Sequence, residues 1–227
     1  MSLDSQALAT VAELQAYLQH DDSTFSDGRV NTAAMEALIT RISSAIAMYL
    51  GRPGVLVAPS SAGSDTAQTV TIGHDGGAIV RLGDEGYWPI VTLTSITDRH
   101  TGEVIPARSS PGSAGWYLTG PGKRCGHAIL DSYRPTAGED SLSIVGVFGY
   151  SPVVAAAVPT TQDGRYHKAA LEALRLACLA WCHVWWTSPN PGPDSVSMEG
   201  GSLSMVREQP MPERVAQLLR PYRRISL

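Results

Sequence analysis

Apolar positions along the chain fall into three patterns, and each predicts a different kind of element. The first is helical. Thr10 followed by Glu13 three residues on has the form of a capping box, in which each side chain satisfies a free backbone N–H of the first turn. Val11, Leu14 and Leu18 share one face behind it, so the spacing predicts a helix over 11–19. Residues 20–29 are polar and contain Gly28, the composition of a loop. A longer helix is predicted over 31–50, with its stripe at Met35, Leu38, Ile42, Ala45, Ile46 and Tyr49. Gly51 is placed to stop it in the left-handed conformation, and Pro53 prevents continuation.

The second pattern runs over 54–150 and is strand-like: short apolar runs punctuated by Gly, Pro and Ser. Candidate strands are 55–58, 69–72, 78–82, 87–97, 115–119, 128–130 and 142–148. His74-Asp75-Gly76-Gly77 between the second and third reads as a hairpin turn, glycine supplying the positive φ. These segments predict a small antiparallel sheet or sandwich inserted between helices.

Helical periodicity returns over 162–187. One stripe runs Leu171, Leu174, Cys178, Trp181, Trp185, and a second, small one runs Ala170, Ala173, Ala177, Ala180. Formal charge vanishes after Arg175, so this helix is predicted to be central, with the alanines letting another helix approach. Trp181, Trp185 and Trp186 are read as core or subunit interface rather than a ligand box. Thr187 to Asp194 holds three prolines and reads as a linker, Ser195 to Arg207 as extended chain, and 212–219 as a short helix begun by Pro212. The fold class is therefore α+β. A helical bundle (1–53 and 151–187) carries an inserted β domain (54–150), and a linker with a C-terminal arm (188–227) follows.

Composition narrows the function classes. With 227 residues, 43% of them hydrophobic, the chain can bury one or two cores. Its net charge of −4 argues against a basic nucleic-acid-binding domain. Three cysteines in a chain this long do not suggest a disulfide framework, so reduced thiols and an intracellular site of synthesis are expected. The longest charge-free apolar run, Leu176 to Trp186, is shorter than the ~20 residues a bilayer span needs, and the N-terminus lacks the basic and apolar regions of a signal peptide, so no membrane partner is expected. Charge is unevenly spread: residues 1–36 carry six carboxylates against Arg29 alone, a net of −5, and residues 205–227 carry five arginines against two glutamates, a net of +3. The two ends could be solvated surfaces, or could meet complementary partners or each other in a neighbouring subunit.

Motifs that carry chemistry are missing. Gly122-Lys123 has Tyr117 where a phosphate-binding loop needs its first glycine, and Arg124 where it needs Ser or Thr. Gly200-Gly201-Ser202-Leu203-Ser204 lacks the last glycine of a nucleophile elbow. Cys178 and Cys182 share a helix face but His183 points about 100° away, so a zinc site is not built there and core cysteines are the better reading. His20, His74 and His100 fall in predicted turns and are expected to be solvated. The adjacent carboxylates Asp84-Glu85 and Glu139-Asp140 read as solubilising turns. No catalytic residue, metal ligand or cofactor is predicted.

The order of segments is more informative. Leu8-Ala9-Thr10-Val11-Ala12-Glu13-Leu14-Gln15-Ala16-Tyr17-Leu18 opens the chain, and Ile46-Ala47-Met48-Tyr49-Leu50-Gly51-Arg52 ends the second helix. Val145-Gly146-Val147-Phe148-Gly149-Tyr150 and Val158-Pro159 precede the alanine-rich helix, and Pro212-Glu213-Arg214-Val215-Ala216-Gln217-Leu218-Leu219-Arg220-Pro221-Tyr222-Arg223-Arg224 closes. This succession resembles the head–tail connector (adaptor, head-completion) proteins of tailed bacteriophages over residues 8–52 and 145–225. Residues 54–140 depart from it, since many members have a shorter β segment. The resemblance implies a virion protein made in a bacterial host's cytoplasm. It would form a ring, usually of twelve copies, beneath the portal and contact a tail-side stopper or completion protein. Genomic double-stranded DNA would pass through its channel without specific binding, and mild acidity suits such a wall. It also implies a portal-docking arm, with Leu218, Leu219 and Tyr222 as anchors and Arg220, Arg223 and Arg224 meeting carboxylates; deleting 208–227 is then expected to abolish docking and leave a folded protein. The alternative is an arm folded back on its own helices, and two other classes stay open: a stopper or tail-terminator protein, and an enzyme with a site on the β insertion.

Overall fold

The computed structural model describes residues 6–18, 32–51, 56, 65–119, 124, 126–157, 161–186, 194–198, 201–205 and 211–223. The fold is α+β, and the chain divides into two compact units, Met1–Ile46 with Glu172–Tyr222 and Ala47–Leu171 with Arg223–Leu227.

The first unit is helical. Helix α1 (Val11–Leu18) begins at the capping box: Thr10 N donates to Glu13 Oε2 at 2.8 Å and Glu13 N to Thr10 Oγ1 at 3.2 Å. Helix α2 (Thr32–Leu50) stops at Gly51, whose φ of 71° is left-handed and whose N–H reaches the Met48 carbonyl at 3.0 Å. Its buried stripe is Met35, Ile39, Ile42, Ile46 and Leu50. Sequence spacing had Leu38 and Tyr49 in that stripe; both are only half-buried, because Ile39 and Leu50 offer the same apolar surface one position on and continue the spacing of three and four. By length and composition α2 could cross a membrane, which the charge-free-run criterion missed. Its one buried face and its exposed Arg41 and Ser44 are the arrangement of a helix lying on a protein core.

Helix α4 (Gln162–Trp186) follows a short helix α3 (Pro152–Ala157) that the sequence did not announce. From Leu174 to Cys182 it buries Leu174, Ala177, Cys178, Leu179, Trp181 and Cys182. The small positions Ala170 and Ala177 are fully buried, as a close approach requires. Leu171 is half-buried instead of joining the stripe. Beyond it lie a two-stranded ribbon, β8 (Asp194–Met198) with β9 (Gly201–Met205), and helix α5 (Glu213–Leu219). Over the described residues, the extended reading of 195–207 is realised as two paired antiparallel strands. The proline-rich linker at 187–193 lies outside the described residues, as does the 20–29 loop.

The second unit is a β sandwich. Among the described residues seven strands form two antiparallel sheets: β1 (Gln68–His74), β7 (Gly138–Phe148), β3 (Ile90–Asp98) and β4 (Val104–Ile105) in the order β1-β7-β3-β4, and β2 (Ile79–Arg81), β6 (His127–Asp131) and β5 (Gly115–Tyr117) in the order β2-β6-β5. One core lies between them, with Val70, Ile72, Ile96, Leu142 and Ile144 from the first sheet and Val80, Trp116, Ala128 and Leu130 from the second. The predicted β1–β2 hairpin is not formed. The turn exists, with Gly76 at φ 79° and Gly77 N donating to Asp75 Oδ1 at 2.8 Å, but β1 pairs with β7 and β2 with β6. Of the predicted strand at 55–58 only Leu56 is described, bridging Tyr150.

Asp98 ties this unit's loops together. Buried at the end of β3, it accepts His100 N at 2.8 Å and Thr101 N at 3.2 Å on Oδ1, and Thr136 N at 2.7 Å on Oδ2. The Thr136 amide foremost, with those of Thr101 and His100, holds the carboxyl down from 3.8 to about 2. A folded value below the unfolded one means stability that is complete above the unfolded value and lost as pH falls through the folded one. Denaturation midpoints should therefore fall between about pH 4 and pH 2. Asp98→Asn, which turns a donor toward Thr136 N, should cost about 2 kcal/mol at neutral pH and flatten that acid limb. An unchanged limb in urea titrations of the variant would contradict this role.

Candidate functional site

The residues marked out by sequence lie mostly on α4 and α5 in the helical unit. Trp181 is buried in the core, while Trp185 and Trp186 are half-buried. The Arg41 guanidinium stacks 4.8 Å from the Trp185 ring, joining α2 to α4. Ser43 Oγ accepts Leu8 N at 3.0 Å and lies 3.8 Å from Cys178 Sγ, so one buried hydroxyl serves the N-terminal segment and both long helices. Across the α1–α4 seam Arg175 Nη1 is 3.3 Å from Glu13 Oε1; the pair is largely exposed and adds little stability.

Helix α5 starts where the sequence placed it: Pro212 is its extended N-cap, with φ −60° and ψ 140°. Val215 and Leu219, one turn apart, are both buried. Leu219 is therefore consumed by the packing of its own unit. Leu218 and Tyr222 are half-buried, and Arg220 and Arg223 are exposed. The Arg223 guanidinium lies 5.0 Å from the Tyr49 ring. Arg224 lies outside the described residues. Docking of α5 also creates an open groove of about 610 Å³, walled by Ala16 and Tyr17 of α1, Ala180, His183 and Val184 of α4, and Pro212, Arg214 and Val215. The Tyr17 ring meets His183 edge-on at 5.9 Å. Sequence reading missed this groove; its trace was Tyr17 at the end of the α1 pattern and Val184 in the charge-free run.

Chemistry-bearing clusters elsewhere resolve into structural parts. Cys178 and Cys182 are buried free thiols, and the Cys182 thiol is pushed up by its hydrogen bond to Cys178 and by burial, the setting of an unreactive core cysteine. In the β unit Ser151, His167 and Asp65 come together. Ser151 Oγ donates to Asp65 Oδ2 at 2.7 Å, however, and Ser151 N donates to His167 Nδ1 at 3.1 Å. The hydroxyl proton thus points at the carboxylate and not at the imidazole, opposite to what activating a serine nucleophile needs. Val154 N donates to Ser151 Oγ at 2.9 Å, which makes Ser151 the N-cap of α3, with Pro152 in the first helical position.

Two histidine and carboxylate expectations change. His74 is not solvated: its side chain is 2% exposed at the end of β1, with Nδ1 accepting Gly76 N at 2.9 Å, so the ring acts as the acceptor of its own turn. Glu139 and Asp140 open strand β7 instead of a turn, whereas Asp84 and Glu85 do sit in a 3₁₀ turn. His100 is exposed as expected, and His20 lies outside the described residues. Among the described residues no group of three His, Cys, Asp or Glu side chains is disposed to hold a metal ion.

No protein-family profile matches the chain, and none of the curated proteins matches it. One similar solved structure is a chain of the virion of a native gene transfer agent particle. The match covers 100% of this chain and 94% of that one, with a TM-score of 0.51 and 14% sequence identity. At that identity the likeness is one of fold.

Proposed function

We propose that this protein is a structural component of a phage-type virion, and within it a head–tail connector: a ring-forming adaptor that seats under the portal, extends the DNA channel and presents a surface to the next tail-side protein. The observation that carries this reading is the correspondence of fold along the whole chain with a chain of a gene transfer agent virion. The succession of helical segments that resembles adaptors over 8–52 and 145–225 supports the finer assignment. So does the burial pattern of the arm, which leaves Arg220 exposed beside half-buried Leu218 and Tyr222. Such a patch fits an acidic partner surface, with Leu219 holding the arm in place from within. A ring built of identical copies uses a head-to-tail interface that closes on itself.

Deleting the gene tests the reading directly. Lysates should then contain DNA-filled heads and unattached tails, seen by electron microscopy, and wild-type protein supplied in trans should restore joined particles. Arg220→Glu should weaken binding to purified portal about fivefold while the urea midpoint stays near wild type. Joined particles in the absence of the protein would overturn the proposal.

A further inference from the structure

The groove between α1, α4 and α5 has the features of a protein-binding surface. Tyr17 and Val184 on its walls are 38% and 40% exposed. The α4 stripe continues through Ala180 to Leu176, 43% exposed, at spacings of four residues along one helix face. Apolar side chains held in water in a contiguous strip mark interaction sites more often than isolated ones do. The polar lining is cationic or neutral: Arg214 is exposed on the rim with no ion pair among the described residues, and His183 faces the groove beside Tyr17. No carboxylate is among the lining residues: Glu13 of α1 is engaged by Arg175, and Glu213, beside Arg214 on α5, accepts Gln217 Nε2 at 3.3 Å. A ligand that fits is therefore an acidic peptide segment with an aromatic or aliphatic anchor.

This chain contains one. Residues 20–27 read His-Asp-Asp-Ser-Thr-Phe-Ser-Asp, three carboxylates around one of the two phenylalanines in the protein. They lie in the first 36 residues, net −5, whereas residues 205–227, which include Arg214, are net +3. We propose that the groove is a self-docking surface that receives residues 20–27 of a second copy, with Phe25 against Tyr17 and Val184 and with Asp21 and Asp22 toward Arg214. Each copy carries one groove and one acidic stretch, so the contact is heterologous and propagates from copy to copy. The inference rests on the multi-copy reading above and specifies the contact that would join neighbours.

Two variants of the full chain that each add one cysteine, Thr24→Cys and Val184→Cys, in a Cys125→Ser background that keeps the buried Cys178 and Cys182, test it. Mixed in equal amounts at high concentration, and again within assembled particles, then mildly oxidised, they should give a disulfide-linked heterodimer, which only an intermolecular contact can form. Arg214→Asp in the Val184→Cys partner should cut the yield several-fold, and Asp21→Arg with Asp22→Arg in the Thr24→Cys partner should restore it. Absence of the heterodimer overturns the inference. So does a bond formed only within one chain when both cysteines are placed on it, which would mean that the groove is filled by its own chain. Rings that assemble without the bond refute this contact and leave the multi-copy reading standing, whereas a single copy per particle refutes both.

Discussion

Truncation after Arg207 is expected to destabilise the helical unit by about 5 kcal/mol, instead of trimming a dispensable arm. Val215 and Leu219 are both buried in that unit, 1% and 0% exposed. Losing a buried aliphatic side chain costs about 2–5 kcal/mol, because the surrounding core does not close fully over the cavity. Two such losses approach the whole stability of a typical domain, about 5–15 kcal/mol. The sequence suggested that deleting 208–227 would leave a folded protein; burial of α5 replaces that expectation. Leu219→Ala alone should cost about 3 kcal/mol by the same reasoning. Trp181, Trp185 and Trp186 report on this unit, so tryptophan emission followed through a urea titration reads the effect, which should appear as an early transition. Arg220→Glu is the control, because its side chain is exposed and its loss removes no packing. If the truncated chain unfolded at the wild-type midpoint, the arm would contribute no core. Portal binding therefore has to be probed with surface charge changes and not with the deletion.

The contrast between arm and sandwich shows which parts of this molecule were legible in sequence. Signals that act within one turn were read correctly: the Thr10–Glu13 box, the Gly51 stop and the Pro212 start each occur where the local chemistry put them. They depend on neighbours in sequence, so no tertiary information is needed. The α2 stripe came out rotated because Leu38 and Ile39 are equally apolar, and only the packing partner selects between them. The β1–β2 hairpin failed for a related reason. Asp75, Gly76 and Gly77 specify a turn but not whether the flanking strands pair, and β1 instead joins β7, with Thr69 opposite Val145. His74 became buried because that turn uses its imidazole as an acceptor, a role that composition cannot reveal. In the helical unit the period marked Trp181 as core or subunit interface, and its side chain is buried. The groove was not legible, since it exists only once α5 packs near the end of α4.

Gly126→Ala is expected to cost about 4 kcal/mol, whereas Gly102→Ala, in nearly the same backbone conformation, should cost about 1 kcal/mol. Both glycines are left-handed, with φ of 75° and 73°. A side chain pays about 1 kcal/mol for that conformation wherever it occurs. The surroundings differ. At Gly102 nothing lies within 4 Å of an added methyl, while at Gly126 the methyl would sit 2.5 Å from Gly83 N, 2.6 Å from Gly83 Cα and 3.0 Å from Trp88 Cβ. Gly83 cannot step aside freely: it is buried in the 3₁₀ turn Leu82–Glu85, and its N–H donates to the Gly126 carbonyl at 2.8 Å. Relief of the collision breaks that bond and displaces Leu82, which is fully buried in the core between the sheets. Overpacking of this kind adds up to about 3 kcal/mol to the conformational term. The difference between the two variants isolates the contact, because the φ cost cancels. Trp88 and Trp116 lie in this unit, so near-ultraviolet circular dichroism through a urea titration would follow its unfolding. Equal losses in the two variants would mean that the 82–85 turn yields to the methyl, and that the approach of Gly126 to Gly83 is not what holds this edge of the sandwich closed.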